Sequence, residues 1–169
     1  MTRSVQSNCS ACIDLVDEKL CYAILPPLDD KSLEELLKQD AVVLPTRLVA
    51  SPLHAAQCVK LANRAWKRGY SRARKLPVEV LLYALAARGD IDPTRVELRT
   101  VASEGPKPGE HLVAVCRDES LCNSLVAKYG CAKLDEVKWL GVPEDLALAR
   151  SALAAAEVER KRLLHGETA

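Results

Sequence analysis

From Cys12 to Leu25, the apolar residues Ile13, Leu15, Val16, Leu20, Cys21, Tyr22, Ala23 and Ile24 are mixed with charges, which gather at Asp17-Glu18-Lys19. That pattern predicts two strands joined there, with Pro26-Pro27 ending the second. Asp29 or Asp30 then caps a short helix over residues 31–39, with Leu33, Leu36 and Leu37 turned inward. Residues 42–49 return as an extended segment, and Pro45 argues against a central, fully paired strand. The next helix has its signals in order: Ser51 to cap it, Pro52 at its first position and Gly69 to stop it. At about 100° per residue, Ala55, Val59, Ala62 and Trp66 gather on one side, flanked by Cys58 and Ala65. Trp66 is therefore expected in the core. Lys60, Arg64, Lys67 and Arg68 fall on the opposite side.

Pro77 opens a further helix to about Arg88, apolar almost all round and expected to be the most buried, with Gly89-Asp90 ending it. Val96, Leu98 and Thr100 alternate with Glu97, Arg99 and Val101, a period-two pattern that predicts a strand. Residues 104–109 are loop, 112–116 a short buried strand, and 118–129 a helix stopped by Gly130. Residues 137–140 are a candidate edge strand. A last helix runs over 143–164, with Leu146, Ala149, Leu153, Ala156 and Leu163 near one face. The expected architecture is a mixed α/β (α+β-like) single domain over residues 1–169, with a small mixed sheet flanked by helices. The first eight residues and the tail beyond about 164 are expected to be loose.

The 169 residues suffice for a core without metal or disulfide staples, and phenylalanine is absent, so Leu, Val, Ile and Ala must build it. The formal net charge is only +1, so a nucleic-acid site has to be a local patch. No signal-peptide pattern and no bilayer-length apolar run is present, which leads us to expect a soluble, cytoplasmic protein without a membrane partner. Seven cysteines leave at least one unpaired. Scarce Asn, Gln and Met with plentiful Arg, Leu and Ala fit a hyperthermophile, where intracellular disulfides occur.

Cys9-Ser-Ala-Cys12 has metal-ligand spacing, but no second pair completes four ligands, so a local disulfide or free surface thiols are favoured over zinc. His54, His111 and His165 lie in no nucleophile motif, and His54 reads as a surface residue near a cap rather than a base. Phosphate-loop, nucleophile-elbow and dinucleotide motifs are all missing, so catalytic residues, metal and cofactors are expected to be none. The basic stretch is different. No Asp or Glu interrupts residues 41–78, and Lys60, Arg64, Lys67 and Arg68 are followed by Arg72, Arg74 and Lys75. A solvated helix usually mixes signs for i, i+4 pairing. An uncompensated field with Tyr70 among its cations instead suits phosphate and an unpaired base.

Residues 48–87 resemble one family. The matching order is Cys58-Val-Lys-Leu-Ala-Asn-Arg-Ala-Trp-Lys-Arg-Gly69, then Arg72-Ala-Arg74, then Leu76-Pro-Val-Glu79-Val-Leu-Leu-Tyr83. It is similar to the small non-catalytic subunit of the KEOPS (EKC) complex that binds the complex's atypical kinase. Weaker similarity reaches the 112–116 strand and the last helix. Two features depart from the pattern: Pro77, where many relatives have Ser, and Gly89-Asp-Ile-Asp-Pro-Thr after the second helix. The family's complex installs threonylcarbamoyl on an adenosine of tRNA, with catalysis in another subunit. The resemblance implies docking on the small kinase/ATPase subunit, indirect association with the other subunits and, for archaeal-type members, recruitment of tRNA through its CCA end. For tRNA the expected residues are Lys60, Arg64, Lys67, Arg68, Tyr70, Arg72, Arg74 and Lys75. Glu79 is expected to support the turn by holding an arginine, and Leu153 and Ala156 are candidates to face the kinase. The alternatives are a stand-alone RNA-binding module and a cysteine-dependent redox enzyme.

Overall fold

A computed structural model describes residues 9–168. The expectation of a loose N-terminus, residues 1–8, lies outside them. The architecture is mixed α/β, and the chain divides into two compact units, Met1–Ala56 with Pro106–Leu140 and Gln57–Gly105 with Gly141–Ala169.

The first unit carries a four-stranded sheet in the order β1-β2-β4-β3. Its strands are β1 (Ser10–Asp14), β2 (Lys19–Leu25), β3 (Val42–Pro45) and β4 (Leu112–Cys116). Every pairing is antiparallel, so the small sheet is antiparallel rather than mixed. Strand β4 is buried along its whole length because it lies between two neighbours and is covered on both faces. Pro45 ends an edge strand, where its missing N–H is tolerated. Helix α1 (Asp30–Leu37) is capped by Asp29, whose Oδ1 accepts from the Ser32 N–H at 2.8 Å. Leu33 and Leu36 of α1 pack with Cys21, Ala23, Leu112 and Leu125, and helix α5 (Glu119–Tyr129) contributes Cys122 and Leu125. Leu37, expected inward, is 50% exposed, because it sits about 100° round the helix from Leu36. The other sheet face packs Ile24 against Cys9 and Ala132, with Trp139 beside them.

Two disulfides tie this unit. Cys12–Cys21 joins directly opposed residues of β1 and β2, and Cys9–Cys131 spans 122 positions. Cys9 and Cys12 thus have separate partners, and the expected local bond holds for Cys12 while Cys9 reaches a cysteine 122 positions away. Residues 137–140 form no strand; Leu140 N–H donates to the Val49 carbonyl and Thr46 Oγ1 to the Lys138 carbonyl, without a ladder.

The second unit is helical: most of α2 (Pro52–Arg68), then α3 (Leu76–Ala86), α4 (Leu98–Ala102) and α6 (Glu144–Thr168). Helix α3 is buried from Glu79 to Ala86, as its all-round apolar sequence requires. Ser151 of α6 donates to the Tyr83 carbonyl at 2.7 Å, and Gln57 Nε2 donates to the Leu148 carbonyl at 3.0 Å. The period-two segment 96–101 is helical instead. Val101 N–H donates to the Glu97 carbonyl, and only Val101 of α4 is buried. No described strand lies in this unit to pair with it, and alternation without a partner strand does not make a sheet. The last helix runs past the expected 164 to Thr168.

Candidate nucleic-acid interface

Helix α2 puts its small apolar residues inward: Ala55, Cys58, Val59, Ala62 and Ala65 are buried. The opposite side carries Arg64, Lys67 and Arg68 into solvent, with Lys60 half-buried. Lys67 and Arg68 also face the negative end of the helix dipole, a stabilising place for cations. Trp66 is 43% exposed and not core, a correction to the sequence reading. At the final turn of the helix Ala62 and Ala65 take the buried positions, and the Trp66 ring is left partly in solvent. Gly69 then takes φ +77°, and the Tyr70 N–H returns to the Ala65 carbonyl at 2.8 Å, leaving Tyr70 half-buried after Trp66.

The turn that follows is built on Glu79. This side chain is fully buried, and one carboxylate oxygen accepts from the backbone N–H groups of Arg72 at 3.0 Å and Ala73 at 2.8 Å. The other accepts from the Tyr83 hydroxyl. Burial first, then the Glu79 carboxylate, push the Tyr83 phenol up, so it stays protonated and donating. Glu79 was expected to grip a guanidinium. It grips the peptide backbone instead, and the turn is held all the same.

Arg72 uses its guanidinium structurally, Nη1 donating to the Pro93 carbonyl and Nη2 to the Val96 carbonyl, each at 2.8 Å. Two of its five guanidinium N–H donors are thereby committed to backbone carbonyls. Arg74 and Lys75 are exposed. Among the described residues, Lys60, Arg64, Lys67, Arg68, Arg74 and Lys75 make no ion pair, and Glu79, the nearest acid in sequence, faces inward.

Within the same unit a cleft of about 170 Å³ is lined by Arg72, Thr94, Val158, Lys161, Arg162 and His165. Its volume is room for several waters. Asp92 lies near its rim; hydrogen bonds from Thr94 hold its carboxyl below the usual range, with Arg95 and Lys161 adding positive field. Lys161, Arg162 and His165 were missed as site residues. The run Arg160-Lys161-Arg162 was the available signal, hidden because that helix was read for its apolar positions.

The remaining candidates separate. Leu153 and Ala156 are on the exposed face of α6, Leu153 at 60% exposure. His54 is fully buried, not a surface residue, and its Nδ1 accepts the Ala50 N–H at 3.0 Å. Burial alone lowers it to about 4. Cys58, Cys116 and Cys122 are free and buried. Burial pushes the Cys58 thiol up to about 12, and the neighbouring Cys122, then burial, push Cys116 up as well. Thiols so placed are poor nucleophiles. No group of three or more His, Cys, Asp or Glu suited to a metal ion occurs among the described residues, and no described helix is long and apolar enough to cross a membrane. No protein-family model matches the chain, and no curated protein matches it.

Proposed function

We propose that this chain is a non-catalytic subunit of the KEOPS type, which binds tRNA through its CCA end and docks the small kinase/ATPase subunit of that complex. The observation that carries the RNA part is the unpaired basic surface of α2 and its turn, Arg64, Lys67, Arg68, Arg74 and Lys75, with Trp66 and Tyr70 between them. Cations without acids confer affinity for phosphates, and an exposed ring beside them offers a stacking platform for an unpaired base. Lys161 and Arg162 extend the positive field to the cleft. The burial of all three free thiols, with Cys58 and Cys116 pushed up, favours this reading over a cysteine-dependent enzyme. The kinase part rests on the resemblance of residues 48–87 and on the exposure of Leu153 and Ala156.

Charge reversal at Arg74 and Lys75, both exposed and outside the Glu79 network, is expected to weaken tRNA binding by about tenfold or more and to flatten its salt dependence. Binding measured by fluorescence anisotropy across a salt series reads both effects, and unchanged affinity would remove the surface from the function. Equal affinity for tRNA with and without CCA would exclude tail recognition. Failure to co-purify with the small kinase would leave a stand-alone RNA-binding module.

A further inference from the structure

The apolar positions of α6 that the sequence places on one face are not its core face. The buried face is Ala147, Ser151, Ala154, Ala155 and Val158, while Leu146, Leu153 and Leu163 are 41%, 60% and 46% exposed and Ala149 and Ala156 are also exposed. Positions 146, 149, 153, 156, 160 and 163 follow a strict 3-4-3-4-3 spacing, the a and d positions of a coiled-coil seam. Read along that seam the residues are Leu, Ala, Leu, Ala, Arg, Leu. From Leu146 to Leu163 the seam is about 26 Å long at the α-helical rise.

We propose that this face pairs with a second copy of the same chain, α6 against α6, antiparallel about a two-fold axis between positions 154 and 155. Two features of the seam select that arrangement. The first is size. In this register Leu153 lies over Ala156 of the second copy, the Arg160 stem over its Ala149, and Leu146 against its Leu163. Large residues therefore meet small ones in the central layers, where two helix axes approach to about 8–10 Å, and leucines close both ends. The second is charge. Of the charges near its two ends, Asp145 and Arg160 fall on the seam side at about 100° per residue. Antiparallel pairing brings each Asp145 within about four residues' rise of the other copy's Arg160. Parallel pairing stacks cation on cation and acid on acid, which is unfavourable. A two-fold axis satisfies both features twice with one surface, as an isologous contact requires. The same face includes Leu153 and Ala156, so a kinase subunit docking there displaces the second copy, and the dimer belongs to the free chain.

Sedimentation equilibrium of the full chain, from about 1 to 100 μM, tests this. The expected species has twice the chain mass. Leu153→Asp is expected to raise its dissociation constant at least about tenfold, with helix content by circular dichroism unchanged because Leu153 is outside the core. Asp145→Lys is expected to weaken the dimer, and Asp145→Lys combined with Arg160→Asp to restore part of the loss. A monomer across the whole range, a higher oligomer, or a dimer indifferent to Leu153→Asp would each overturn the pairing. A monomer that still binds the kinase through Leu153 would overturn it while sparing the adaptor reading.

Discussion

Removing the Glu79 carboxylate leaves the Arg72 and Ala73 amides and the Tyr83 hydroxyl without their acceptor. Buried donors stripped of a charged acceptor are expensive, and Glu79→Ala is expected to cost on the order of 4 kcal/mol of stability. Glu79→Gln keeps an amide oxygen for the two backbone donors and is expected to cost about half as much. Urea unfolding midpoints of the two variants check the order; equal and small losses would mean the turn is held by something else. His54 makes a pH prediction. Its imidazole titrates at about 4 in the fold because it is buried, against about 6.5 in the unfolded chain. Between those values only the unfolded state takes up the proton. Stability is therefore full above about pH 6.5 and declines as pH falls towards 4, by roughly 3 kcal/mol in all. His54→Gln retains an acceptor for the Ala50 amide, and its stability measured from pH 7 to 4.5 is expected to fall less steeply than that of the parent chain.

Elements with strong local punctuation were legible in the sequence. Asp29, Ser51, Asp118, Gly69 and Gly130 mark ends that the structure places within a residue or two, because each makes its bond or takes its dihedral locally. What failed depends on partners that periodicity does not specify. Residues 96–101 alternate like a strand, but the nearest structure is helical, and the Val96 carbonyl is claimed by Arg72. Helix α6 shows two arcs of small and apolar residues, and the richer in leucine is the exposed one. The buried arc is alanine and serine, with Ser151 bonding the Tyr83 carbonyl of α3. Leucine content therefore pointed to the wrong face. The candidate interface divides in the same way. The basic side of α2 follows from spacing, since residues 3 and 4 apart share a face. The anchoring of Arg72 to carbonyls 21 and 24 positions away, and the cleft shared with Lys161 and Arg162, needed the tertiary fold.

For the whole molecule, cross-linking is the property that composition raised and the fold resolved. Seven cysteines divide into two disulfides, both in the sheet-bearing unit, and three buried thiols. Native protein alkylated in denaturant is therefore expected to gain four more labels after reduction, and seven labels without reduction would exclude both bonds. The two bonds should not contribute equally. Chain-entropy reasoning ties a disulfide's effect to the length of chain it closes in the unfolded state. Cys12–Cys21 closes a separation of nine within a hairpin, whereas Cys9–Cys131 holds the start of the described chain to the segment after α5, 122 positions away. The expected losses are about 2.5 kcal/mol for the first and about 5 kcal/mol for the second. Replacing each pair by serine and comparing unfolding free energies measures the ratio. Removal of Cys9–Cys131 should be the more damaging by roughly a factor of two. A reversed order would place the stabilisation in the native sheet, through the direct β1–β2 cross-strand link, and not in the restraint on the unfolded chain.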